Sequence, residues 1–523
     1  MNALQYLSTN KLFMQKTNRI LYLLALIKLI LPFFLQNSFY QPHRDEFLYL
    51  AEGHHMAWGY MEVPPLLSVF AWLTNLFGDS MFWIKIWPAL FGAFTFILVG
   101  KIILSLGGKT FALFLGWLPF VIDGYMRLFF LFQPNFLEVF FWTAIAYSII
   151  TYIQTQKNSW LYIFGICTGL GMMSKYSVAF YVVSIAAGLL ITRHRKIFLN
   201  KHFYYAAIIA LIIFLPNLIW QYNHRFPVIT HMSELQDEQL KFINPLEFVI
   251  SQFMMNLPCV YIWIAGLFFV IFSYAGKPYR VIAWAYLCVI ALLVGLHGKD
   301  YYALGAYPVL FAFGAYHLEK ATAEKLKWVR YPLLVFSIGF GVYAMPLTMP
   351  VAKPESLAKY YAYTGMNKLF KWEDQQYHPL PQDFADMIGW KEMAEKAGRV
   401  YNSLPPAERS KTMVYCRGYF SAGALNFYRK EFRLPEVYSD NASFLFWMPD
   451  TYNFKNLLLV AHNIPDSTDK VFQQFEKMTV KDSLVYPLFR ENGMRFILYE
   501  NGNDSLNKLT EKGIAELKGK FRR

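Results

Sequence analysis

The residues best equipped for chemistry lie in one early stretch, His43-Arg44-Asp45-Glu46, which runs on to Glu52, His54-His55 and Gly59-Tyr-Met-Glu-Val-Pro-Pro-Leu66. It sets two adjacent carboxylates just beyond an apolar segment, where acids are either solvated at an interface or held for a purpose. The Asp45 carboxylate could take the proton of an acceptor hydroxyl as that oxygen attacks an anomeric carbon. If the leaving group is a lipid phosphate, Lys or Arg must bind it and stabilise the charge it gains. Such cations occur in other polar interruptions: Asp123-Gly-Tyr-Met-Arg127, Ser174-Lys175-Tyr176, Gln221-Tyr-Asn-His224-Arg225 and Lys299-Asp300-Tyr301-Tyr302. Gln133-Pro-Asn135, with Glu138 one turn on, adds a further polar site.

Each of these residues also has a structural use. Acids such as Asp45 and Glu46 near a helix N-terminus are favourable by about 0.3–1 kcal/mol against the helix dipole, which does not exclude catalysis. Lys175, Lys299, Arg127 and Lys85 sit at span ends, where long cationic side chains extend to lipid headgroups. His54 and His55 point to different faces of a helix, and the stretch has no His pair at i, i+4 to anchor a metal. A hard divalent ion held by Asp45, Glu46 or Glu138 together with a donor phosphate needs few protein ligands and is compatible with the sequence.

The chain that positions these groups has 523 residues, 56% hydrophobic and 16% charged, with mean hydropathy +0.28. That is not a soluble balance. The net charge of +14 comes without a basic helix, finger or stacking motif, so nucleic acid is not the expected partner. Four scattered cysteines give no disulfide framework and no paired metal spacing. Lys11, Lys16 and Arg19 precede the first apolar run, which lacks a small-residue cleavage site and reads as an uncleaved span.

Apolar runs of spanning length predict eleven transmembrane helices, near 19–38, 82–104, 110–123, 134–154, 159–173, 177–192, 203–222, 251–274, 281–297, 303–317 and 331–349. With the N-terminus inside, about sixteen cations fall on the cytoplasmic side. The outer side holds six: Arg44, Arg127, Lys175, Arg225, Lys241 and Lys299. The parity then puts residues 351–523 outside, as a soluble domain after a membrane domain of residues 1–350. In the first outer loop, Asp45–Trp58 predicts an amphipathic interfacial helix with Phe47, Leu50, His54 and Trp58 on one side, stopped by Pro64-Pro65. A second interfacial stretch, Leu66–Phe77, follows. The outer domain shows strand-like runs at 412–415, 456–460 and 495–499 around a helix at 421–432, an α/β pattern.

Arg44-Asp-Glu-Phe-Leu-Tyr-Leu-Ala-Glu52 and Gly59-Tyr-Met-Glu-Val-Pro-Pro-Leu66 resemble the first-loop signature of the dolichyl-phosphate-mannose–protein mannosyltransferase-like glycosyltransferases of the GT-C superfamily. That superfamily also includes the aminoarabinose transferases of lipid A. The likeness continues through Gly169–Tyr176, Pro216–His224, Lys299–Pro308, Gly423–Tyr428 and Leu434–Tyr438. It implies a polyprenyl-phosphate-sugar donor, Asp45 as general base, and Lys175, Lys299, Tyr301 and Tyr302 near the donor phosphate. Glu46 is assigned as helper or metal ligand, and His224, Arg225, Arg127 and Lys85 complete the expected phosphate cradle. Many relatives carry His where this chain has Val63 and Asp where it has Asn135. The expected acceptor is a lipid, a glycan or a protein, and the expected site of action is the periplasmic face of a bacterial inner membrane. The alternatives are a transporter or flippase of lipid-linked sugars, for which no internal repeat is visible, and a non-enzymatic membrane sensor.

Overall fold

The computed structural model describes residues 3–78, 80–238, 240–466 and 468–522; side chains of residues 3–14 and 238, and so the expected cytoplasmic Lys11, lie outside the description. Every expected span is helical over most of its length. Among the described residues, six helices are long and apolar enough to cross a membrane: Gln15–Leu35, Met81–Ser105, Pro134–Thr155, Lys201–Asn223, Lys277–Gly295 and Lys327–Thr348. Two bent helix pairs, Val178–Leu199 and Pro245–Phe272, raise the number to eight.

The chain divides into two compact units, each built from separated stretches of sequence. The first comprises residues 1–35, 85–216 and 234–351 and is helical. Its helices pack where small residues let backbones meet, as expected in a bilayer, where burial alone gives little attraction between apolar helices. A Cβ on Gly266 would lie 2.0 Å from the Leu310 carbonyl oxygen, and one on Gly314 would lie 1.8 Å from that of Ile262. Helices Val260–Phe272 and Tyr307–Ala321 can therefore touch only with glycine at both positions.

The second unit comprises residues 36–84, 217–233 and 352–523. Its sheet has five strands, β1 Thr412–Cys416, β2 Val437–Tyr438, β3 Asn456–Ala461, β4 Phe475–Ser483 and β5 Arg495–Gly502, in the order β2-β1-β3-β5-β4. The β1 strand pairs in parallel with β2 and β3, and β5 runs antiparallel to β3 and β4. Central β3 is buried along its whole length, which fits the unbroken apolar run Leu457-Leu-Leu-Val-Ala461. The helix expected over 421–432 starts two residues earlier, at Tyr419.

The first loop folds into this second unit and departs from expectation in two ways. Its helix spans Arg44–His54 and ends ten residues before the Pro-Pro pair, while Pro65 caps the next helix, Leu66–Phe77. Its Phe47 face is also covered by protein, with the ring against Trp390, Phe427 and Tyr428 at 5.4–6.2 Å. Trp72, Leu76 and Phe77 of the second helix remain exposed, as an interfacial helix requires.

Candidate functional site

Asp45 occupies the first turn of Arg44–His54. The turn is closed by a capping box, in which the Asp45 N–H donates to His43 Nδ1 at 3.2 Å and the His43 N–H donates to Glu46 Oε2 at 2.8 Å. Glu46 is thereby buried as a structural cap. The Asp45 side chain keeps 31% of its surface accessible, whereas Glu46 and Glu52 keep none. Its Oδ1 accepts a 2.7 Å hydrogen bond from the Tyr419 hydroxyl, and Arg44 Nε lies 3.8 Å from the same oxygen. The Arg44 guanidinium sits over the Phe420 ring at 4.4 Å, with Asp386 3.9 Å from it. Asp386 is also bonded by Arg490 at 3.0 Å. Burial raises its carboxyl to about 6, against the charges of Arg44, His43 and Arg490.

Two more first-loop acids lie in the same unit. Glu62 accepts the Ser443 N–H at 2.8 Å and the Ser443 hydroxyl at 2.5 Å. Neither Glu52 oxygen has a hydrogen-bond partner, and burial, reinforced by the charge of Glu62, lifts its carboxyl well above the ordinary 4.5. Burial therefore favours the neutral form of Glu52. The expected cradle residues His224 and Arg225 also belong here. His224 stacks on Trp220 at 4.0 Å, and Arg225 is exposed at a left-handed φ of 59°.

In the first unit, the polar interruptions do converge. Lys175 Nζ donates at 2.7 Å to both Asn135 Oδ1 and Glu138 Oε2, and lies over the Tyr302 ring at 4.5 Å and the Tyr301 ring at 5.7 Å. Ser177 donates to the other Glu138 oxygen. Asp300 Oδ1 accepts the Tyr301 N–H at 2.9 Å, and Lys299 and Arg127 act electrostatically on the same carboxylate, which brings both cations to this group. Lys85 is buried with its Nζ 5.7 Å from the Phe130 ring.

The acids named as possible metal ligands each have protein partners. Glu138 serves Lys175 and Ser177, Glu46 caps a helix, and among the described residues no group of three or more His, Cys, Asp or Glu gathers. Two residues escaped the sequence reading. Tyr419 lies 374 positions from Asp45, with no motif to flag it. Lys28 had a signal, a lysine inside the first apolar run; it is buried without a hydrogen-bond partner, 5.7 Å from the Phe129 ring.

With this geometry in view, known proteins supply the class. The family described as dolichyl-phosphate-mannose-protein mannosyltransferase matches residues 62–220. The fold resembles that of ArnT from Cupriavidus metallidurans bound to undecaprenyl phosphate, with TM-score 0.60 at 12% identity over 93% of this chain and 98% of that one. Apo ArnT gives TM-score 0.59 at 13% identity over 91% and 96%. The chain is thus a polytopic membrane protein of GT-C fold. Its sequence likeness is to glycosyltransferases of the protein-mannosyltransferase type, including the lipid A galacturonosyltransferase RgtD of Rhizobium johnstonii, 25% identical over 225 residues. That match covers 42% of this chain, which spans about half the length, 47%, of the relative.

Proposed function

We propose that the protein transfers a sugar from a polyprenyl-phosphate-linked donor to a hydroxyl acceptor at the outer face of a bacterial inner membrane, with Asp45 as general base. The observation that carries this reading is that Asp45, alone of the three acids on its helix, remains open to solvent. In the transfer the acceptor hydroxyl gives its proton to Asp45 as its oxygen bonds to the anomeric carbon. The sugar–phosphate C–O bond breaks, and its electron pair leaves with the polyprenyl phosphate. Lys175, with Lys299, Arg127, Tyr301 and Tyr302, is assigned to binding that phosphate, and Lys85, His224 and Arg225 are assigned to the same task. Glu46 acts as helper by fixing the turn that carries Asp45. The names of the relatives support undecaprenyl phosphate as the lipid carrier and lipid A as the first acceptor to try. Eleven crossings, with residues 351–523 periplasmic, complete the proposal.

The test is sugar transfer by the purified full chain from a panel of undecaprenyl-phosphate-linked hexose, hexuronate and aminopentose into vesicles containing lipid A. Asp45→Asn should lower the rate by about 10²–10⁴-fold, the usual contribution of a general base. Full activity in a folded Asp45→Asn protein would remove Asp45 from this role. A wild type that consumes none of the donors would favour transport.

A further inference from the structure

We propose that Tyr419, contributed by the C-terminal part of the chain, is the positioning residue for Asp45: its hydroxyl fixes Oδ1 and holds the carboxylate in its ionised, proton-accepting form. The inference rests on the reading of Asp45 as the base and says what keeps that base ready.

Three observations converge on it. The Tyr419–Asp45 hydrogen bond is short, 2.7 Å, and bridges 374 residues of sequence. Tyr419 is itself held at both ends. Its N–H donates to Asn441 Oδ1 at 3.2 Å, and its ring lies beside the Arg44 guanidinium at 5.6 Å. The phenol also stays a donor, because burial and the negative charge of Asp45 keep it well above its ordinary pKa.

A hydrogen bond to the charged form of an acid favours that form. A carboxylate fixed at one oxygen also loses little rotational freedom on reaction, which is how positioning raises a rate. Other groups that act on Asp45 include His43, 3.8 Å from Oδ2, Arg44, Tyr49 and Asp386. Arg44 favours the ionised carboxylate and Asp386 opposes it. Tyr419 bonds Oδ1 directly and can be altered by one atom without changing the charge of the cluster.

The test uses two variants of the full chain. Tyr419→Phe keeps the ring beside Arg44 and removes the donor. Tyr419→3-fluorotyrosine, introduced at that codon, keeps the shape and strengthens the donor. Transfer from the undecaprenyl-phosphate-linked sugar that the wild type turns over is followed against pH. Tyr419→Phe should raise the acid limb of kcat/KM by about one unit, the scale of a charged hydrogen bond. It should also lower kcat about tenfold and leave donor KM unchanged; Tyr419→3-fluorotyrosine should move the limb down. A substrate-free infrared titration of the Asp45 carboxyl, taken as the difference from Asp45→Asn, should show the same two opposite shifts. Unshifted infrared titrations in both variants, or a lower rate with an unmoved acid limb, would overturn the positioning role even if Asp45→Asn is inactive. Opposite infrared shifts together with a fully active Asp45→Asn would keep the hydrogen bond's effect and refute the base.

Discussion

Glu52 shows how far a single acid on the first loop can be driven from ordinary behaviour. It lies seven residues after Asp45, on the same helical face, yet burial and the nearby Glu62 push its carboxyl well above the ordinary range while Asp45 stays accessible. The sign of its linkage to stability follows from the raised folded-state pKa. Below the ordinary value of 4.5 the carboxyl is protonated whether the chain is folded or not, and its contribution is fully present. As pH rises above 4.5 only the unfolded chain ionises, so stability falls until the pH passes the folded-state pKa. Glu52→Gln removes the ionisation and keeps the shape. Its unfolding midpoint in detergent should match the wild type near pH 4 and exceed it by a margin that widens as the pH rises above 4.5 towards the raised folded-state value. A constant margin across that range would show that Glu52 ionises in the folded protein.

Between elements, the contact that sets Tyr419 against Asp45 depends on a missing side chain. A Cβ on Gly423, one helical turn after Tyr419, would lie 2.9 Å from Phe47 Cβ and 3.1 Å from the Phe47 carbonyl carbon. Gly423→Val should therefore destabilise by about 1–3 kcal/mol, the usual penalty of overpacking, and should slow transfer by pushing the Tyr419 helix away. Gly513, in the helix Ser505–Gly519, has nothing within 4 Å of an added Cβ. There alanine should stabilise by about 0.5–1 kcal/mol through helix propensity; thermal unfolding of the two variants distinguishes the cases by sign. The first-loop helix and the Tyr419 helix were each legible locally, from apolar spacing and composition. Their pairing was not, because no local pattern encodes a contact across 374 residues. The same limit hid the edge strands. The β4 strand, Phe-Glu-Lys-Met-Thr-Val-Lys-Asp-Ser, is mostly exposed and lacks an apolar signature, and β2 is two residues long. The Lys175 group was legible because every member interrupts an apolar run, where polarity stands out.

For the whole molecule, the second unit constrains the path across the membrane. Residues 36–84, 217–233 and 352–523 fold together, so an even number of crossings must separate each stretch from the next. The eleven-span arrangement meets this, with six crossings between the first and second stretches and four between the second and third. Counting only the long helices and the bent pairs leaves three in the second interval, namely Pro245–Phe272, Lys277–Gly295 and Lys327–Thr348. In the proposed eleven-span arrangement the fourth crossing is assigned to Tyr307–Ala321 with the 3-10 turns of Asp300–Ala306 before it. At 1.5 and 2.0 Å per residue these add up to roughly 36 Å, enough for a hydrocarbon core of about 30 Å. Ten residues of Tyr307–Ala321 are buried among neighbouring helices, which lets a crossing tolerate Glu319 and Lys320 at its end. Single cysteines at exposed positions test the outcome, against a background in which Cys167 and Cys288, both partly accessible, are replaced. In intact spheroplasts, Tyr363→Cys, at a site 92% exposed, should react with a membrane-impermeant maleimide. Lys325→Cys, exposed in the loop after Tyr307–Ala321, should react only after the membrane is opened. Labelling of both in intact spheroplasts would remove the crossing at Lys327–Thr348. The reverse pattern would put Asp45 and Tyr419 in the cytoplasm and end the proposal of transfer at the outer face.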